Sequence, residues 1–171
     1  MKPGRLWPWA SLSAWLALLG LLGACASLEP ALRLQVGQTE AELLQAMGAP
    51  TNRYTTAAGA PRLEFARGPA GRTTWMVDLD ASGRVAVAEQ VLDAPHFDRV
   101  IEGMSRDQLL RFLGRPAHRA GEWQNRETWS WRYVTNDCLW FRVTLSAEGR
   151  TLGGGGYMPD PACDVHDRGQ P

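Results

Sequence analysis

Apolar residues recur at i, i+1, i+4 in two short stretches: Leu43, Leu44 and Met47, and again Leu109, Leu110 and Leu113. That spacing predicts one apolar stripe on a helix. The ends of both helices are written locally. Thr39 and Ser105 stand at the N-cap with Glu42 and Gln108 three residues on, the pattern of a capping box. Gly48 and Gly114 provide a left-handed residue after the last turn, and Pro50 and Pro116 prevent continuation. A helix of about nine residues does not persist alone, so each must pack on something.

Downstream of each helix the pattern changes to period two, the signature of half-buried strands. Leu63 and Phe65 lead through Gly68-Pro69-Ala70-Gly71 to Trp75, Val77 and Leu79, and the turn Asp80-Ala81-Ser82-Gly83 opens a third strand over 84–92. Likewise Trp129, Trp131 and Tyr133 turn at Thr135-Asn136-Asp137 into Leu139, Phe141, Val143 and Leu145, and Ser146-Ala147-Glu148-Gly149 opens a last strand. Glycine closes both hairpin turns, where positive φ is wanted. A short helix is expected before each capped one, at Pro30–Leu34 and at Pro95–Ile101, the second opened by Asp93 as N-cap and Pro95 in the first turn.

The two patterns are one pattern repeated. An offset of 66 residues carries Gly37 onto Gly103, Leu43-Leu44 onto Leu109-Leu110, Gly48 onto Gly114, Pro50 onto Pro116, and Arg53 onto Arg119. It also carries Leu63 and Phe65 onto Trp129 and Trp131, Val77 and Leu79 onto Val143 and Leu145, and Gly83-Arg84 onto Gly149-Arg150. Self-similarity at a fixed period points to a duplication. The expectation is an α+β fold of two tandem units at 31–92 and 93–158. Each is helix, helix and a three-stranded antiparallel meander covered by helices on one face.

The N-terminus follows another logic. Lys2 and Arg5 precede an uncharged stretch from Leu6 to Ala24 that ends Leu22-Gly23-Ala24-Cys25. A basic start, an apolar middle and small residues before a cut site describe a secretory signal peptide over 1–24. Nineteen such residues are also about long enough to span a bilayer, but Pro8 interrupts them and no basic stop-transfer cluster follows. Leu-Gly-Ala-Cys resembles the lipobox of bacterial lipoproteins. The resemblance implies a diacylglycerol and an N-acyl chain on Cys25, a tether over 25–30, and no other cofactor. Two or more acyl chains anchor durably where one is marginal. A plain secretory signal with a chance cysteine is the alternative. Ala26 and Ser27 follow the cysteine, with no aspartate to retain the chain at the inner membrane. By resemblance to lipoprotein sorting, this favours the periplasmic face of the outer membrane, with its lipid as one partner.

The chain carries 18 basic and 18 acidic side chains, and losing Lys2 and Arg5 with the leader leaves a net charge near −2. Nucleic acid is not an expected partner, since a polyanion demands a basic face. Cys138 and Cys163 remain as an even pair, which in an oxidising compartment suggests a disulfide; two free buried thiols are the alternative. Closing that loop would tie the tail, 159–171, to the body and stabilise by roughly 3 kcal/mol in the chain-entropy model.

The sites offer little chemistry. The repeated helix phrase has no nucleophile, histidine or metal ligand. The tail gathers Asp160, Cys163, Asp164, His166 and Asp167, but a Cys-x-x-His pair is half a zinc site at most, and no metal is expected. His96 and His118 lack a nucleophile and an orienting acid at motif spacing, and both are expected to face solvent. No enzyme activity is expected. If Leu139, Phe141, Val143 and Leu145 face the helices, Trp140, Arg142 and Thr144 face away, joined by Thr128, Ser130 and Arg132. The first unit would offer Glu64, Thr74, Met76 and Asp78 on the same side. Trp, Arg and Met are enriched in interface cores, so Trp140, Arg142, Arg132 and Met76 are the candidate partner-binding residues. The alternative packs Trp140 under the tail or between the units. The run Gly153–Gly156 lets another backbone come close, or marks a bulged edge strand.

Gly-Met-Ser-x-x-Gln-Leu-Leu-x-x-Leu-Gly-x-Pro, then Trp-x-Trp-x-Tyr and a strand ending Gly-Arg, resembles the SmpA/OmlA (BamE-like) module of outer-membrane lipoproteins. It is also similar to the tandem αα-β units of the β-lactamase inhibitor protein. The resemblance spans about Leu32 to Tyr157. The first unit departs from it, with Gln38 where the family has Met and Leu63/Phe65 where it has aromatics. It implies a non-enzymatic scaffold or accessory that acts through protein contacts in the periplasm or outer membrane, in outer-membrane protein assembly or envelope integrity. The alternative is an inhibitor-type module that caps a periplasmic enzyme. Two units in place of one leave membership of the barrel-assembly machine open.

Overall fold

A computed structural model of the chain describes residues 34–67 and 71–163. The leader, Cys25, the short helix expected at Pro30–Leu34 (all but its last residue), most of the Gly68–Gly71 turn, and Asp164, His166 and Asp167 of the tail lie outside those residues.

The fold is α+β, with two four-stranded antiparallel sheets. Helix α1 (Glu40–Met47) precedes sheet 1, ordered β1 (Asn52–Thr55), β2 (Pro61–Arg67), β3 (Thr73–Leu79) and β4 (Val85–Gln90). Helices α2 (Ala94–Phe97) and α3 (Arg106–Leu113) precede sheet 2. Its order is β5 (His118–Glu122), β6 (Arg126–Arg132), β7 (Leu139–Leu145) and β8 (Gly156–Pro159). Each meander therefore has four strands rather than the expected three. The extra strands β1 and β5 show no run of buried side chains, because each is an edge strand with only one neighbour. Edge strands of this kind leave no hydrophobic alternation to read.

The local signals act as their chemistry requires. Thr39 and Ser105 each close a capping box with Glu42 and Gln108. Gly48 and Gly114 take φ of 73° and 77° and return their N–H to Leu44 and Leu110. The Gly-Arg after each hairpin turn has a second task. Arg84 and Arg150 bridge back to the caps Thr39 and Ser105, and their guanidinium groups donate to the carbonyls of Gly37 and Gly103 at 2.9 and 3.0 Å. The expected Pro95–Ile101 helix is shorter, ending at Phe97, although Asp93 caps it by accepting from the His96 N–H.

Two apolar clusters fill the interior. α1 packs Leu43 and Met47 on one face of sheet 1, against Leu63, Phe65, Val77, Leu79 and Val85. α3 packs Leu109 and Leu113 on sheet 2, against Trp129, Trp131, Phe141, Val143 and Leu145, with Phe97 stacked on Phe141 at 4.3 Å. Burying a leucine side chain stabilises by about 1.5–3 kcal/mol, which is what holds an eight-residue helix in place.

The second cluster also contains Met76, fully buried, along with Val91 and Leu92. This corrects the expectation that Met76 faces a partner and that helices cover each sheet on one face only. α3 lies between the sheets, so the layers run α1, sheet 1, α3, sheet 2. The junction is polar as well as apolar. Arg62 Nη1 donates to the carbonyl of Arg111 at 2.9 Å, and the Arg115 N–H donates to the buried Glu64 carboxylate at 3.0 Å. Tyr54 donates its hydroxyl to the other Glu64 oxygen at 2.7 Å; burial, then that carboxylate, hold the phenol well above its ordinary range. From the other side, the buried Trp131 Nε1 donates to the Gly114 carbonyl at 3.0 Å. The end of α3 is thus clamped by both sheets.

His96 is also not solvent-facing. Its Nδ1 lies 2.6 Å from Asp93, its Nε2 3.6 Å from Glu89, and Phe112 packs beside the ring. The expectation failed because Glu89 comes from β4 and Phe112 from α3, neighbours that sequence distance hides.

Candidate interaction surface

With the outer face of sheet 1 covered by α3, the face on which no described helix packs is that of sheet 2. Strand register places its residues in rungs: Thr128 beside Thr144, then His118, Ser130, Arg142 and Gly156, then Arg132, Trp140 and Met158. Alternation along β6 and β7 puts these opposite the Trp131/Phe141 side that packs on α3.

The four residues expected to bind a partner meet different fates. Met76 is in the core between the sheets. Trp140 lies on the outer face but is only 7% exposed. His118, itself exposed as expected, stacks beside it at 5.8 Å, and the Arg132 and Arg142 guanidinium carbons lie 5.6 and 5.7 Å from its ring. Trp140 is therefore a covered floor and not a free contact. Arg132 is committed elsewhere, donating twice to Asp160 at 2.5 and 3.0 Å. Arg142 lines a cleft on this face, its guanidinium 3.7 Å from the Glu122 carboxylate. Cys25 lies outside the described residues.

Arg132–Asp160 and the Cys138–Cys163 disulfide, whose Cα atoms stand 6.4 Å apart, together fasten the tail to the sheet. These bonds account for two of the five tail residues with metal-ligand chemistry. Among the described residues no group of three or more His, Cys, Asp or Glu side chains gathers around one point. The hydrogen bonds from Arg132 hold the buried Asp160 carboxyl below the usual carboxylate range, assisted by the Ala162 N–H. A depressed native pKa adds stability above the unfolded value, about 3.9 for aspartate, and loses it as pH falls through the native one. Asp160→Asn is therefore expected to lower unfolding free energy by about 2 kcal/mol at neutral pH. That deficit should shrink in acid, which urea midpoints at pH 7 and below pH 3 would check. An equal deficit at both would mean the ion pair contributes nothing.

The cleft itself, about 620 Å³, is lined by Glu122, Trp123, Arg126, Thr128, Arg142, Thr144, Leu152, Met158 and the glycine run. Gly155 answers the question left open about that run. A Cβ there would stand 2.6 Å from the Arg142 carbonyl, so close approach of backbone to backbone is what excludes a side chain. Trp123 projects 84% exposed from the β5–β6 connection. The next two residues, Gln124 and Asn125, both take left-handed backbone at φ 62° and 55°, a conformation that costs a non-glycine residue about 1–2 kcal/mol. Ser130 Oγ, Trp140 Nε1 and Arg142 Nε are buried on this face and make no hydrogen bond among the described residues.

Trp123, Arg126, Leu152 and Met158 were missed by sequence reasoning. Trp123 did carry a signal: a lone aromatic in the otherwise polar stretch Gly121-Glu122-Trp123-Gln124-Asn125-Arg126, with no apolar partner at strand or helix spacing. No described helix is long and apolar enough to cross a membrane. No family model, no curated protein and no solved structure matches the chain.

Proposed function

We propose that this chain is a non-enzymatic lipoprotein of the outer membrane, anchored through acyl chains on Cys25 at the periplasmic face. It acts as a scaffold or accessory by docking protein on the outer face of sheet 2. The observation that carries the reading is the concave, arginine-lined face with Trp123 held out at its rim on strained backbone. Exposed tryptophan and arginine beside a cleft are the chemistry of interface hot spots. The two halves are two tandem BamE-like units. Paired capping boxes, paired left-handed glycines and paired Arg84 and Arg150 bridges support that reading. An inhibitor-type module that caps a periplasmic enzyme is the second reading, favoured by Trp123 standing at a hairpin tip where it can enter a partner's cavity.

Two measurements test this. The full chain should incorporate labelled palmitate, and Cys25→Ser should abolish the label; label retained in the variant removes the anchor. Crosslinking of intact envelopes followed by capture of the chain should recover outer-membrane or envelope proteins, and Trp123→Ala should weaken recovery by about tenfold or more. Recovery of a soluble enzyme alone would favour the inhibitor reading.

A further inference from the structure

The inner faces of the two sheets are covered unequally. On sheet 2, α2 and α3 share the work. α2 stacks Phe97 on Phe141 at 4.3 Å and sets it edge-on to Tyr133 at 5.2 Å, leaving Phe141 2% exposed. On the corresponding face of sheet 1, α1 is the one helix among the described residues. Trp75 pairs with Phe65 across the strands as Phe141 pairs with Trp131. It packs against the first cluster but stays partly exposed.

The 66-residue offset continues upstream of α1. It carries Leu34 onto Val100, and each packs with the apolar cluster of its own unit. Before Leu34, it carries Ser27 onto Asp93, the cap of α2, and Ala31 onto Phe97. Serine caps helices as aspartate does. Pro30 would fall in the first turn after that cap, where a missing N–H breaks no helical bond.

We infer that residues 27–33, which lie outside the described residues, close the Trp75 end of sheet 1 as α2 closes the Phe141 end of sheet 2. The sizes complement each other: alanine meets tryptophan in the first unit where phenylalanine meets phenylalanine in the second. The consequence falls on the anchor, and this step rests on the reading of Cys25 as acylated. Cys25 stands nine positions before Leu34 and two before Ser27. Nine free residues reach about 30 Å, as far as three layer spacings of roughly 10 Å from α1 to sheet 2. Such a leash lets either end of the stack meet the membrane. With 27–33 seated, the leash is about 7 Å. The α1 side then lies toward the membrane, and the outer face of sheet 2, with Trp123 and its cleft, points into the periplasm.

A photo-crosslinking residue in place of Trp75 in the full-length chain, expressed in cells with its own leader, tests the cover. The expected product keeps the mass of one chain, and its digest joins position 75 to residues 27–33. The same probe in place of Tyr133, which packs on Phe97, should join residues 94–97 and calibrates the yield. The Cys25→Ser chain should give the position-75 product at similar yield, because the cover needs no lipid. Loss of palmitate label and loss of the cover are therefore read separately. A position-75 adduct to another protein or to lipid alone, or no adduct, overturns the cover. A second probe at Thr144 of the palmitate-labelled chain tests the orientation. No lipid adduct is expected there, and a lipid adduct at Thr144 overturns the outward-facing sheet 2 even where the position-75 product stands.

Discussion

Gly114→Ala is expected to destabilise the protein by about 3–5 kcal/mol, while Gly48→Ala at the matching position costs about 1–2 kcal/mol. Both glycines end a capped eight-residue helix with nearly the same backbone, φ 77° and 73°, so the left-handed penalty of a Cβ is common to both. The difference lies in what surrounds them. At Gly114 a Cβ would stand 2.9 Å from the Glu64 carboxylate and 3.0 Å from Thr74, and Glu64 is held by Tyr54 on its other oxygen. At Gly48 it would meet nothing within 4 Å among the described residues. Urea unfolding of the two variants measures the gap. Equal losses would mean that α3 does not seat on sheet 1, and the layer order would fall with it.

The second large effect is at Trp131. Trp131→Ala is expected to cost about 3–5 kcal/mol, the range for emptying a large aromatic site in a close-packed core. Trp131→Phe separates packing from hydrogen bonding, because it leaves the buried Gly114 carbonyl without its donor; that change should cost about 1–3 kcal/mol. Trp129 is the control. It is as deeply buried, but its Nε1 donates to the half-buried Glu127 carboxylate, which water can serve instead. Trp129→Phe should therefore cost less than Trp131→Phe. If thermal unfolding ranks them the other way, the clamp on the end of α3 is not a stabilising feature.

These variants also mark where the sequence stopped being informative. The helix caps, the left-handed stops, the strand alternation around Trp129, Trp131, Val77 and Val143, and the Cys138–Cys163 pair are each decided by neighbours within a few residues or by a simple count. Such features are legible because capping, turn chemistry and period-two burial act locally. Met76 was misassigned for the opposite reason. Alternation placed it correctly on the face away from α1, and nothing local says that the same face is covered by a helix some thirty residues later. Trp140 and Arg132 were placed on the right side of sheet 2, but their availability was not legible, because it depends on His118 and on Asp160 arriving from other strands and the tail.

The sequence by itself determined the two capped helices with their ends, the central strands of each sheet, and the near-identity of the two helix phrases, since these rest on dihedral preference and hydrophobic period, while the edge strands β1 and β5 and the end of α2 were not legible. Only the tertiary structure decided which of two similar sheet faces a helix covers. Stacking α3 between the sheets turns Glu64, Thr74 and Met76 inward and leaves Trp123, Arg126 and Arg142 outward, and no local interaction encodes that choice.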